Sequence, residues 1–123
     1  MVRSIFVLAA VLSVASASRA ASVLTTPLVV PQNGQIPECF ITNIDTRPAT
    51  ISVKFTDVFG DDQTQNFVGC PTTLAPSESC LVQPLSLTSV YCSVTSSTSR
   101  IRAAMGLFNG TTLSMEVEVP ATR

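Results

Sequence analysis

Apolar and polar residues alternate along most of this chain, and no stretch beyond residue 17 carries them at helical spacing. Alternation is the period of an extended strand, whose successive side chains point to opposite faces. The longest run is Thr50–Phe59 (TISVKFTDVF). Ile51, Val53, Phe55 and Phe59 share one face, with Ser52, Lys54 and Thr56 on the other. Pro48 before it and Gly60-Asp61-Asp62 after it are turn residues. Gln63–Val68 then predicts the short return strand of a hairpin.

A second hairpin is predicted near the C-terminus. Ile101, Ala103, Met105 and Leu107 alternate with Arg100, Arg102, Ala104 and Gly106; Leu113, Met115, Val117 and Val119 alternate with Thr112, Ser114, Glu116 and Glu118. Asn109-Gly110 between the runs suits a type I′ turn, which needs positive φ at both central residues. Further strands are read at Cys39–Ile44 and Val90–Thr95, with a short edge near Cys80–Gln83 and a weaker strand over Val23–Val30, interrupted by Pro27. Seven or eight short strands spaced by turn residues predict an all-β fold, a small antiparallel β-sandwich.

The beginning of the chain is different. Met1-Val2-Arg3 leads into an apolar run, Ile5–Val14, and then Ala15-Ser16-Ala17. A cation, a short apolar core and small residues at a cleavage site make up a secretory signal peptide. The run is about half the roughly twenty residues needed to span a bilayer. Residues 1–17 are therefore expected to be removed, leaving 18–123 as one domain, secreted or periplasmic, with no stable membrane span. A domain of about 100 residues buries only part of its unfolded surface, so its core alone supports modest stability.

The cysteines answer that need. Cys39, Cys70, Cys80 and Cys92 are four in number, without histidine and without a Cys-x-x-Cys pair. In an exported chain this pattern predicts two disulfides, not a zinc site. Three pairings are open. Cys39 and Cys92 lie mid-strand beside Ile41 and beside Val90 and Val94, while Cys70 and Cys80 end the proline-containing loop CPTTLAPSESC. The economical pairing is Cys39–Cys92 in the core and Cys70–Cys80 around the loop.

Charge and composition remove several functions. Seven basic residues face eight acidic ones, and loss of Arg3 leaves six against eight. Nucleic-acid binding needs a dense positive footprint, and none is present. With no histidine the commonest general base is missing, and Lys54, the one lysine, sits on the polar side of its strand. No enzyme, catalytic residue, metal or cofactor is therefore expected. Asp57, Asp61 and Asp62 form one acidic cluster, read as turn chemistry in preference to a calcium loop. Asn109-Gly110-Thr111 has the form of a glycosylation acceptor but is explained by the hairpin.

Two sets of residues are candidates for binding an unknown protein or glycan. Phe40 and Phe108, with Ile44, fall opposite the proposed core positions, where clustered apolar side chains would mark a contact surface. Thr72, Thr73 and Leu74 lie in the loop Gly69–Ser79, which a disulfide and Pro71 and Pro76 would preorganise.

Six short motifs carry a resemblance: Cys-x-x-x-Asn at Cys39–Asn43, Phe-Gly-Asp at Phe59–Asp61, Leu-x-Pro at Leu74–Pro76, Tyr-Cys-x-Val-Thr at Tyr91–Thr95, Arg-Ala-Ala at Arg102–Ala104 and Val-Pro-Ala at Val119–Ala121. Over most of residues 18–123 the chain looks like small exported bacterial β-sandwich proteins of uncharacterised function. The paired strand cysteines also resemble the inter-sheet bridge of immunoglobulin-like domains, although the buried tryptophan is missing and Tyr91 adjoins its cysteine. The resemblance carries no catalytic residues over, and a likeness of fold says little about function. With histidine absent, the residues lead to the expectation of a non-catalytic module acting by binding or structural association. A small secreted inhibitor or effector presenting the Cys70–Cys80 loop is the alternative, and a small secreted hydrolase a more distant one. N-terminal sequencing of the exported product is expected to begin at Ser18; an intact Met1 would overturn that expectation.

Overall fold

Where small polar residues alternate with Val, Ile, Phe and Met, the chain is extended and pairs along its length. The computed structural model describes residues 21–64, 70–84 and 86–123, and the regular elements among them are eight strands. They are β1 (Ser22–Thr25), β2 (Gln35–Asn43), β3 (Ala49–Asp57), β4 (Thr73–Leu74), β5 (Ser79–Val82), β6 (Val90–Ser96), β7 (Ile101–Asn109) and β8 (Ser114–Pro120). They form two four-stranded sheets, ordered β1-β6-β3-β4 and β5-β2-β7-β8. Every ladder is antiparallel. The fold is the predicted all-β sandwich with two disulfides. The signal segment 1–17 and most of the predicted return strand, residues 65–68, lie outside the described residues.

The core follows from the alternation. Ile101, Ala103, Met105 and Leu107 of β7, Val90, Cys92 and Val94 of β6, and Ile51 and Phe55 of β3 are all buried between the sheets. Cys39 of β2 and Cys92 of β6 lie in different sheets and are bonded, with a Cα–Cα distance of 6.3 Å. In register, Cys39 stands opposite Met105 and Cys92 opposite Phe55, so the bridge runs through the most fully buried layer. The Cys70–Cys80 bond, at 4.9 Å, closes the connection by which the chain passes from β4 to β5 in the other sheet. Pro37 is tolerated inside β2 because it lies past the end of β5, where β2 is paired on one side only.

The strand ends are held by side chains. Asn43 is fully buried; its Nδ2 donates to Arg47 O (2.8 Å) and Leu74 O (2.9 Å), and its Oδ1 accepts from Asp45 N (2.9 Å). The buried Asp45 in turn accepts from Thr98 Oγ1 at 2.7 Å. One residue thus ties β2, the 44–48 connection and β4, as burial of a polar group demands. Along one edge, Thr25 and Thr122 exchange two backbone hydrogen bonds, joining β1 to the segment after β8 across the two sheets.

Five expectations need correction. Phe59 is not a core residue but 85 % exposed, because β3 ends at Asp57. There Asp57 Oδ1 accepts from Phe59 N and Asp61 N, both at 2.9 Å, and Gly60, at φ 84°, completes the turn. The C-terminal hairpin forms, but not through a two-residue turn. Asn109 pairs with Ser114, its Oδ1 caps Thr111 N and Thr112 N, and the residue at positive φ (54°) is Leu113. Leu113 is 76 % exposed, so it too leaves the core face. A bulge between Leu107 and Phe108 shifts the register of β8, placing Met115 opposite Phe108 and Val117 opposite Leu107. Finally, the first strand is shorter than Val23–Val30, continuing past Pro27 only as an isolated bridge from Val29 to Val90.

Two measurements check this account. The double replacement of Cys39 and Cys92 by Ala should cost more than that of Cys70 and Cys80. The 53-residue and 10-residue separations give chain-entropy terms of about 4 and about 3 kcal/mol, and the first pair adds a core cavity. Urea unfolding reads the order, and equal losses would contradict it. The second measurement concerns Asp57. The Asp61 N–H, followed by the Phe59 N–H and the Gln63 amide, holds its carboxyl below the usual range against the opposing effect of burial. A lowered folded-state value gives stability that is present above about pH 4 and lost as pH falls through it. The difference in urea midpoint between the natural chain and Asp57→Asn should therefore shrink on acidification below about pH 4.

Candidate functional site

The inward side chains of β2 are Pro37, Cys39, Ile41 and Asn43, so Ile36, Glu38, Phe40 and Thr42 belong to the outer face of the β5-β2-β7-β8 sheet. Register then builds that face in rows. Leu81, Phe40, Ala104 and Pro120 line up across four strands; Glu38, Gly106 and Glu118 form the next row; Ile36, Phe108 and Met115 the one after. Neighbouring strands lie about 4.8 Å apart, so Phe40 and Phe108, which sequence reading placed opposite the core, lie on one surface. Both are half-buried, as are Ile36, Leu81 and Ala104, and Met115 is 39 % exposed.

Gly106 is the pivot of this face. A Cβ there would meet Met115 Sδ at 2.6 Å and Phe40 Cε2 at 3.0 Å. The thioether and the ring edge therefore lie over bare backbone, and a larger residue would lift them off. Beside it Glu38 is 6 % exposed, its Oε1 accepting from Gln83 Nε2 at 2.8 Å. A shallow groove of about 250 Å³ runs past Phe40, Ala104 and Pro120, with Arg102 and Glu118 on its margins.

The opposite sheet presents a different surface. Its outward positions are Ser93 and Thr95 of β6, Thr50, Ser52 and Lys54 of β3, and Thr25 of β1, with Tyr91 and Val23 the large side chains among them. One outer face is mostly hydroxyl; the other carries two apolar rows, Leu81-Phe40-Ala104-Pro120 and Ile36-Phe108-Met115, divided by Glu38 and Glu118 and bordered by Ser79, Thr42 and Arg102. An apolar outer face is the one that gains by being covered.

The loop candidates fall elsewhere. Thr72 and Thr73 are exposed at the β4 edge of the hydroxyl-faced sheet, while Leu74 is fully buried and belongs to the core. Thr73 and Leu74 pair with Thr50 and Ala49. The turn that follows is closed by Glu78 N donating to Ala75 O (3.1 Å) and by Ala75 N donating to Glu78 Oε2 (3.0 Å). Ile44, 39 % exposed, lies beyond the end of β2 and not on the face. The structure thus places Phe40 and Phe108 on one sheet face, two rows apart with Glu38 and Gly106 between them, and separates both from Thr72, Thr73 and Leu74.

Sequence reading missed Met115, because uninterrupted alternation puts it with Val117 toward the core. The bulge moves it outward, and Glu116 bonds instead to Gln35 Nε2 and to Asn109 Nδ2. Ile36, Leu81 and Gly106 had no signal beyond strand parity. The acidic cluster is engaged in turns: Asp57 accepts from Phe59, Asp61 and Gln63, and Asp62 Oδ1 from Thr64 N at 2.8 Å. Among the described residues no helix is long and apolar enough to cross a membrane.

The two disulfides are consistent with an oxidising extracellular or periplasmic compartment. No protein-family model and no curated protein matches the chain. Among solved structures, the crystal structure of Thermotoga maritima 1070 is similar to it, with a TM-score of 0.53 and 11 % identity over 81 % of this chain and 91 % of that one. At that identity the likeness is one of fold.

Proposed function

We propose that this chain is an exported bacterial module of immunoglobulin-like kind that binds a partner without catalysing a reaction, and that the outer face of the β5-β2-β7-β8 sheet is its contact surface. The observation that carries the reading is the contrast between the two outer faces. The hydroxyl-rich face is satisfied by water. The other holds Phe40, Phe108, Ile36, Leu81 and Met115 partly in water, which costs free energy until a second surface covers them.

The chemistry of the face selects a protein partner over a glycan. Sugar recognition draws on flat aromatic platforms with polar edges, and this chain has no Trp and its one Tyr, Tyr91, on the opposite sheet. Phe rings beside a thioether match apolar side chains instead, while Arg102 and Glu118 at the margin supply polar contacts that fix orientation. The alternative reading, a loop-presenting inhibitor, is weakened by the burial of Leu74, which removes the one apolar side chain of Thr72–Leu74 from contact.

The test is affinity for a partner captured from the chain's own extracellular medium. Phe108→Ser should weaken binding by tenfold or more, as loss of an aromatic anchor does, while Gly at Thr72 and Thr73 leaves it unchanged. The reverse pattern, with both variants folded by circular dichroism, would transfer the site to the loop.

A further inference from the structure

The two ends of the sandwich are unlike each other in polarity and in charge. One end is formed by segment 26–34, segment 58–64, segment 86–89 and the loop 110–113, as the strand directions require. Six large apolar side chains are exposed there: Leu28 (44 %), Val30 (55 %), Val58 (56 %), Phe59 (85 %), Leu87 (63 %) and Leu113 (76 %). Asp61 and Asp62 are exposed on the same end, with Lys54 of β3 acting on Asp62, while both carboxylate oxygens of Glu116 are bonded to Gln35 and Asn109; no Lys or Arg lies on those segments. Nothing among the described residues accounts for this. Leu113 even occupies the left-handed region at φ 54°, which costs a side chain about 1–2 kcal/mol and suits Gly or Asn.

The other end is formed by the 44–48, 75–78 and 97–100 connections and the segment after β8. Arg47, Arg100 and Arg123 are exposed there, with Arg102 at the second residue of β7. Asp45 is turned inward to Thr98, and Glu78 to the Ala75 N–H, so both carboxylates of this end have partners within the fold. An open groove of about 860 Å³ lies at this end, with Leu24, Ile44, Ile101 and Pro120 among its apolar walls and Arg100, Arg102 and Arg123 around them.

We propose that these ends are the two halves of one interface, the apolar and acidic end of one copy seating in the arginine-lined groove of the next. Carbon meets carbon at the centre, and the exposed Asp61 and Asp62 face guanidinium groups at the rim, an arrangement that steers encounter and fixes register. Two like ends repel through their common charge, so a two-fold pairing of the same end is disfavoured. Each pair joined in this way keeps one unused end of each kind, and the assembly grows as an open chain. The groove borders the sheet face assigned to partner binding at Arg102 and Pro120, whereas Phe59 and Arg100 lie off that face, so different variants test the two assignments.

Sedimentation velocity on the exported protein tests this with two end-blocked variants. Phe59→Glu disables the apolar end and Arg100→Glu the groove. The natural protein should show a mass that rises with concentration past the dimer and falls as salt is raised from about 0.05 to about 0.5 M, where screening shortens to a few ångströms. Each variant alone should lose self-affinity tenfold or more. An equimolar mixture should stop at a heterodimer, because one intact end of each kind remains. A natural protein that stays monomeric throughout would overturn the proposal. So would a closed dimer that survives Arg100→Glu, a mixture that fails to pair, or Phe59 acting only in binding to zwitterionic lipid vesicles.

Discussion

One covalent bond fixes the relation of the two sheets. Cys39 and Cys92 join them in the layer that also holds Met105 and Phe55, all four fully buried, so the sheets can neither slide nor change their facing residues without disturbing the centre of the core. Because a one-residue slip of a strand exchanges its two faces, fixing that layer fixes every other one. It decides that Phe40 and Phe108 look outward and that Ile41 and Leu107 look inward. The surface chemistry of this protein is therefore a consequence of its interior. A domain with few charges has little else with which to oppose a shift of register.

What results is a small body with four distinct surfaces. One sheet face is hydroxyl-rich and the other apolar; one end is apolar and acidic and the other carries arginines. Such anisotropy is difficult to reconcile with a protein whose only requirement is to stay dissolved, since scattered charge and small patches serve that purpose best. Both the proposed partner surface and the proposed self-association surfaces follow from this separation. The two adjoin at Arg102 and Pro120, which line both grooves.

Much of the fold was legible in the residues because the signals were of one kind. Alternation located the central strands β2, β3, β6 and β7, and the cysteines beside Ile41 and Val94 identified the bridged pair. What was not legible depends on single backbone events. Phe59 continues the parity of β3, but the Asp57 carboxylate captures the next N–H groups and ends the strand before it. Met115 continues the parity of β8, but one bulge inverts it. Leu74 reads as a loop residue between two prolines, yet two backbone pairs with β3 bury it. The candidate face was half visible for the same reason. Strand parity proposed Phe40 and Phe108, while the register that sets them beside Ile36, Leu81 and Met115 is a property of the assembled sheet.

The spacing of the cysteines also bears on how the chain acquires its bonds. As a chain emerges from its N-terminus into an oxidising compartment, Cys39 arrives alone, meets Cys70 and Cys80 next, and Cys92 only last. Its correct partner is the final one to appear. The ten-residue interval between Cys70 and Cys80 offsets this handicap, because closing a short loop is much faster than closing a long one. Those two thiols can be consumed by each other before Cys39 reaches either. A Cys70–Cys80 bond closed in that interval leaves Cys92 as the one remaining partner for Cys39 when β6 arrives.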